Sequence, residues 1–277
     1  MPAAARQRFG DWWPAFGWET LSAYGRAEVG IVTGDNDFFI VTNEQAAQFD
    51  PGHLVPIITS AKDLRGIGFE AEDFAAIVRQ NRRSYLLDIR GPVPKLSATE
   101  RAYLARGERE QVSHRYKCRV RQPWYAVPGI RATDAVLLRQ SGDMPRLVHL
   151  GQRCAATDTI HRVTWHRPEF GPRFAAGFLN TFTLLTAEIT GRSYGGGVLE
   201  LMPSEANALP LPPPTPALAK LFPKIDARVR ARDAMGAVEQ VDACTLPAWM
   251  TPANRDDARA MLASLVKRRQ TRSSGHA

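Results

Sequence analysis

The sequence predicts an α+β fold: an irregular mixed β-sheet or small barrel with accompanying helices, followed by a helical C-terminal tail. Three observations carry this. Short β-prone runs and helical stretches are interleaved without a strand–helix–strand rhythm, which argues against a doubly wound sheet. No internal repeat of fixed period is visible, which argues against a solenoid or propeller. The segment "ALPLPPPTPAL" is a proline-rich connector, extended by necessity, and beyond it lie only polar helical stretches. The 277 residues suit one large domain or two modest ones, and 44% hydrophobic with 23% charged residues is the composition of a folded chain. The expected organisation is an aromatic segment over residues 1–25, a main domain over 26–215 and a helical, basic region over 216–277.

The elements follow in order. Trp12, Trp13, Phe16, Trp18 and Tyr24 make the N-terminus either a cap on a core or a surface that docks elsewhere. "AEVGIVTGDNDFFIVT" reads as strand, polar turn and strand, with Gly34-Asp35-Asn36-Asp37 as the turn. "NEQAAQFD" is a short helix ended by Pro51-Gly52, and "HLVPIITSAKDL" is a β-prone run broken by Pro56. "EAEDFAAIVRQNRR" is helical, with acids early and arginines late as the helix dipole favours. After the strand "SYLLDI", Ser97 and Glu100 form a capping box that starts a helix expected to stop at Gly107. "YKCRVRQPWYAVP" is partly alternating and reads as extended; "AVLLRQ", "PRLVHL" and "IHRVTW" are strands. "FAAGFLNTFTLLTAEI" is one long apolar helix, and "GGVLELMP" a strand. Two polar helices are expected over roughly 216–235 and 252–270, with a fraying basic end, "VKRRQTRSSGHA".

Charge and composition narrow the function. Net charge is +8, and most of the 36 basic residues are arginine, the residue of bidentate phosphate and guanine recognition. A basic, arginine-rich chain is a candidate nucleic-acid binder; a well-solvated basic surface is the plainer reading. No apolar run approaches the roughly 20 residues that span a bilayer, so no membrane partner is expected. The start, "MPAAARQRFGDWWP", lacks a signal pattern, and a cytoplasmic location is the expectation. Cys118, Cys154 and Cys244 are widely separated, which excludes a disulfide framework or a cysteine zinc cluster and leaves buried or inert thiols.

Gly191-Arg192-Ser193-Tyr194-Gly195 matches the G-x-S-x-G nucleophile elbow in letters only. That elbow needs a strand before the serine and a helix after it, with the acid and histidine downstream. Here a helix precedes and a strand follows, and the one downstream histidine is His276. The glycines are better read as stopping the helix and allowing close backbone approach to another chain. Asp63-Leu64-Arg65-Gly66-Ile67-Gly68 resembles an S-adenosylmethionine loop, but a lone glycine-rich match outside a strand-led α/β domain reads as a surface turn. No P-loop, H-E-x-x-H or carboxylate-x-Lys pair occurs, and the scattered histidines make no metal site. The positive signal is "YKCRVRQPWY": in an extended segment Lys117, Arg119 and Arg121 share one face, beside Trp124 and Tyr125, a row suited to a phosphate backbone. The alternative is an edge strand guarded by charges.

Taken together, "VGIVTGDNDFFIVT", "YLL", "YKCRVRQPWY", "MPRLVHL", "LNTFTLLTAEITGRSYGGGVLELMPSE" and "ALPLP" appear in an order that resembles the C-terminal target-recognition half of adenine-N6 DNA methyltransferases of restriction–modification systems, over roughly residues 26–215. In that family the N-terminal half carries catalysis, with an S-adenosylmethionine loop and an Asn-Pro-Pro-Tyr motif that holds an extruded adenine. Asn-Pro does not occur here, so the catalytic half is expected to be missing and no catalytic residue is assigned. The resemblance implies double-stranded DNA as partner, with S-adenosylmethionine held not by this chain but by a separate methyltransferase chain or by the missing catalytic half. It implies DNA contacts from Thr33, Gly34, Asn36, Phe38 and Phe39, from Lys117, Arg119, Arg121, Trp124 and Tyr125, and from Arg192, Ser193, Tyr194, Gly195, Gly196 and Gly197. For Phe38, Phe39 and Trp124 a place in the core is the competing reading. Trp12, Trp13 and Trp18 are candidates for docking the catalytic partner.

Three functions are compatible with this: a DNA-binding recognition module without catalysis of its own, a subunit of a split active methyltransferase, and a DNA-binding regulator with no catalytic partner.

Overall fold

The computed structural model describes residues 10, 12 and 14–271. Its centre is a five-stranded mixed sheet in the order Gly25–Val29, Ile160–Trp165, Ala135–Leu138, Leu147–Leu150, Gly68–Phe69. All neighbours are antiparallel except the last pair. Ala135–Leu138, Leu147–Leu150 and Gly68–Phe69 are largely apolar because both of their faces are covered, whereas the edge strand Gly25–Val29 alternates, with Arg26 and Glu28 turned outward. Ala135, Leu137, Leu147, Val163 and Trp165 enter one cluster, while Val136, Leu138, Val148, Leu150 and Ile160 enter another on the opposite face. This is the period-two alternation of a strand feeding two cores.

The helices of eight or more residues are α1 (Ala71–Arg79), α2 (Ala98–Arg109), α3 (Gly171–Phe178), α4 (Thr181–Thr190), α5 (Pro216–Arg230), α6 (Ala234–Thr245) and α7 (Pro252–Thr271), and all but α2, whose Leu104 packs with Phe38 and Ile57, cover these faces. Phe74 and Ile77 of α1 pack on one face of the sheet. Phe174, Leu184, Ile225, Val238 and Leu262, from α3 to α7, pack on the other. The C-terminal helices therefore follow the sheet in sequence but share its core. A second sheet orders Ala155–Ala156, Leu54–Ile58, Tyr85–Leu87 and Ile40–Val41. A third orders Arg192–Tyr194, Val198–Glu200 and Gln140–Ser141. Among the described residues the sheets stay open. The barrel alternative fails because the edge strands Gly25–Val29 and Gly68–Phe69 do not pair with one another. Among the described residues no helix is long and apolar enough to cross a membrane.

Several expectations need correction. The helix foreseen through "FAAGFLNTFTLLTAEI" is two, because Asn180 caps α4 through Thr183 N at 2.8 Å while its amide donates back to Gly177 O at 2.7 Å. The helix foreseen over 216–235 ends at Arg230, and Asp233 caps α6 by accepting from Gly236 N. Helix α2 runs past Gly107 to Arg109. Trp12 and Phe16 are not docking aromatics: both are buried, with Phe16 stacked on Phe182 at 4.0 Å. Trp18 packs edge-on to the same ring, and its surface is only partly exposed. Apolar rings that can reach a core bury themselves there. Trp13 lies outside the described residues.

Candidate functional site

Strand direction decides where the candidate segments sit. Gly25–Val29 and Ala135–Leu138 both run antiparallel to Ile160–Trp165, so they are parallel to each other and leave the sheet at the same end. Residues 30–39 follow the first strand and 139–142 follow the second. The glycine hairpin Arg192–Glu200 joins that end by pairing Leu199 and Glu200 with Ser141 and Gln140. A continuous set of hydrogen bonds links the two places. Asp158 N donates to Ile31 O at 3.2 Å, Arg139 Nη1 donates to Asp158 O at 3.2 Å, and Leu201 N donates to Arg139 O at 2.9 Å. Arg139 also holds Glu200 at 2.8 Å.

The "TGDNDFF" segment is not a plain turn between strands. Asp35 caps a helical turn, Asn36–Phe39, by accepting from the amides of Asp37 and Phe38. Thr33, buried, donates to Asn36 Oδ1 at 2.6 Å and accepts from Asp35 N. Gly34 sits at φ +89°, and a Cβ there would lie 3.0 Å from both Cys118 Sγ and Lys117 Cβ. The "YKCRVRQPWY" segment thus packs directly on this loop. Arg121 donates to Thr33 O at 2.7 Å and to Val32 O at 2.9 Å, and Arg115 pairs with Asp35 at 3.0 Å.

That packing corrects the expected cationic row. Tyr116–Arg119 is a helical turn rather than an extended strand, so Lys117, Arg119 and Arg121 do not share a face. Arg121 turns inward because two backbone carbonyls would otherwise lack donors. Lys117 and Arg119 stay exposed, each over the exposed Tyr116 ring at 5.3 and 5.6 Å, with no carboxylate partner among the described residues. Phe38 and Phe39 are core residues, 3% and 1% exposed, packed with Trp124. Trp124 is half-buried and donates to Glu108 at 3.3 Å; Tyr125 is buried and donates to Gly91 O at 2.8 Å. These four aromatic side chains build the corner and do not offer a stacking surface. Burial pushes the Cys118 thiol above its ordinary range, which makes it a packing group.

In the hairpin, Arg192, Ser193, Tyr194, Gly195 and Gly196 are exposed, while Gly197 is buried. Gly196 and Gly197 take φ of +77° and +72°, conformations that favour glycine. A Cβ at Gly197 would lie 3.0 Å from Gln270 Cα, so α7 abuts the hairpin. Ser193 sits on the first strand of a hairpin that follows α4, without the geometry of a nucleophile elbow; His276 lies outside the described residues. His161, buried beneath, bonds Leu201 O through Nε2 at 2.7 Å, and burial holds its pKa below the usual histidine value.

The Asp63–Gly68 loop, expected as a surface turn, is buried except at Arg65. Its amides at Ile67 and Gly68 both donate to Asp226 Oδ1 at 2.8 Å, and a Cβ at Gly66 would collide with that carboxylate. The loop's donors hold the chain's own α5.

Residues 16–246 match the family described as the C-terminal domain of the type II methyltransferase M.Eco57I. The chain belongs to this family. Among relatives of this chain, the type II methyltransferase M.AccI of Acinetobacter calcoaceticus is 30% identical over 109 residues, 39% of this chain and 20% of that protein. The type IIG restriction endonuclease BpuSI shares the fold, with TM-score 0.60 at 11% identity, over 98% of this chain and 34% of the BpuSI chain. The chain thus spans about a fifth of the one relative and a third of the other.

Residue reading missed Arg115, Arg139 and Arg269, which hold this M.Eco57I-type domain's loops in place. Their basic side chains were visible, but each finds its partner tens of residues away in sequence.

Proposed function

We propose that this chain is the DNA-binding target-recognition module of a restriction–modification methyltransferase directed at adenine. Methyl transfer from S-adenosylmethionine belongs to a catalytic part lying outside these residues. The observation that carries this reading is convergence: the Thr33–Phe39 loop and the Lys117–Tyr125 segment are in contact, and the glycine hairpin emerges at the same sheet end. Lys117 and Arg119, free of carboxylates, and the exposed Arg192, Ser193 and Tyr194 supply phosphate and base contacts. Asn36 stands exposed beside them, within reach of a base edge. The buried Thr33, Phe38, Phe39 and Tyr125 act by shaping the loop.

Duplex-binding titrations at several salt concentrations test the proposal. Lys117→Ala with Arg119→Ala weakens binding and flattens the salt slope by about two, because each lost phosphate contact removes a slope of about 0.9. Unchanged affinity and slope would move the interface elsewhere. The chain alone, given S-adenosylmethionine and duplex DNA, leaves adenine unmethylated, and Ser193→Ala removes no hydrolytic activity. A second reading is a subunit of a split enzyme. It requires methylation that appears only when this chain and a catalytic chain are mixed.

A further inference from the structure

A cleft of about 1100 Å³ opens between the loop at Ala61–Arg65, the turn at Asp143–Arg146, the end of α5 and the last turns of α7. It takes in Leu64 and Arg65 of the glycine-containing loop and lies apart from the residues expected to contact DNA. Its floor is apolar, from Leu64, Leu179 and Val229. Its rim is cationic. Lys62, Arg65 and Arg232 are exposed, and none makes a side-chain hydrogen bond or ion pair among the described residues. Arg146 donates to Leu64 O at 2.9 Å, and its buried Nε has no partner. The acids present are Asp143 and Asp233, and Asp233 is taken up by Arg228 and by capping α6.

Arg232 has a fixed place on this rim. It follows the end of α5 in the left-handed region, at φ +63°, with Asp233 N donating to Arg228 O at 2.9 Å. Glycine is the residue suited to that helix stop; a side chain there costs about 1 kcal/mol. Asn81 after α1 and Gln111 after α2 take the same conformation, so what sets Arg232 apart is its exposed cation at the cleft rim.

The cleft also has a definite place. Leu147–Leu150 runs antiparallel to Ala135–Leu138, and Gly68–Phe69 runs parallel to Leu147–Leu150. The turn at 143–146 and the loop at 61–65 therefore lie at the sheet end from which the glycine hairpin projects. Hairpin and cleft share a wall: Arg269 holds the carbonyls of Gly197, Gly142 and Asp143, and Asp143 and Gln270 line the cleft. From edge to edge, the sheet end presents the Lys117–Arg119 corner, the hairpin, then the cationic cleft.

We infer that the cleft is a second phosphate-binding strip for the same DNA, gripping backbone phosphates on the side of the hairpin away from Lys117 and Arg119, with the apolar floor against deoxyribose. The inference rests on the DNA-binding reading above. In duplex binding, Lys62→Ala with Arg65→Ala weakens affinity roughly tenfold at 0.15 M salt and lowers the salt slope by about two. Arg232→Gly lowers the slope by about one while the thermal midpoint is kept or raised, which separates lost binding from lost folding. Three results overturn the inference. If Lys117→Ala with Arg119→Ala weakens binding but the cleft variants leave affinity and slope unchanged, the cleft falls and the DNA reading stands. If wild-type chain shows no duplex binding, both fall. If inorganic pyrophosphate raises the wild-type thermal midpoint, the cleft variants abolish that shift and their duplex binding is unchanged, the cleft is a pocket for free phosphate instead.

Discussion

Arg121 and Gly107 show how single residues fix the corner. Arg121 bonds two consecutive carbonyls, so Arg121→Ala leaves both without their donor and costs roughly 2–3 kcal/mol, read as a lower urea midpoint. Its DNA affinity falls through a loosened loop rather than a lost phosphate contact, so the salt slope changes less than in the Lys117, Arg119 pair. Gly107 lies where a Cβ would meet Phe38 at 2.6 Å and Trp124 at 2.7 Å. Gly107→Ala therefore forces two core rings apart and destabilises the chain by roughly 1–3 kcal/mol; an unchanged denaturation midpoint would show that the rings yield freely. Sequence made Gly107 a helix stop because glycine disfavours helices. Its purpose is instead to let α2 approach the aromatic pair, a property of the partner surface.

At the scale of elements, local chemistry was legible wherever both partners lie within a few residues. The Ser97–Glu100 capping box forms as expected. Glu100 also reaches across to His53 at 2.6 Å and to Asp50 N, contacts that no local pattern announces. Burial pushes the Glu100 carboxyl up, but the bonds from His53, Ser97 and Asp50 outweigh it and hold the group below the ordinary glutamate value. A carboxyl depressed on folding stabilises the chain above its unfolded pKa of about 4.3, and that contribution is lost as pH falls through the folded value. Urea midpoints should drop from pH 7 to pH 3, and Glu100→Gln should lower the pH 7 midpoint while shrinking the drop. The Tyr116–Arg119 segment failed as an element for the opposite reason: its alternation suggests a strand, yet the flanking Arg115 and Arg121 are both held by the 32–35 loop.

The whole molecule is closed by a contact near the end of the described chain. Arg269 of α7 and Glu188 of α4 pair at 2.8 Å with both side chains 3% exposed, and Arg269 also donates to Ser141, Gly142, Asp143 and Gly197 carbonyls. Removing one partner of a buried pair strands the other, so Arg269→Ala costs roughly 3–5 kcal/mol. Hydrogen exchange should rise first in Arg192–Glu200, since the hairpin loses its hold on α7; uniform exchange across the chain would instead mean global loosening.

The sequence by itself determined the α+β class, most of the strands, the capped helices and the resemblance to methyltransferase recognition domains, because periodicity, caps and turn residues act over a handful of neighbours. Only the tertiary structure decided which arginines face solvent, that the N-terminal rings are core, and that the corner, hairpin and cleft share one end of one sheet. Strand direction and long-range carbonyl acceptors set those outcomes, and neither is written in any single stretch of residues.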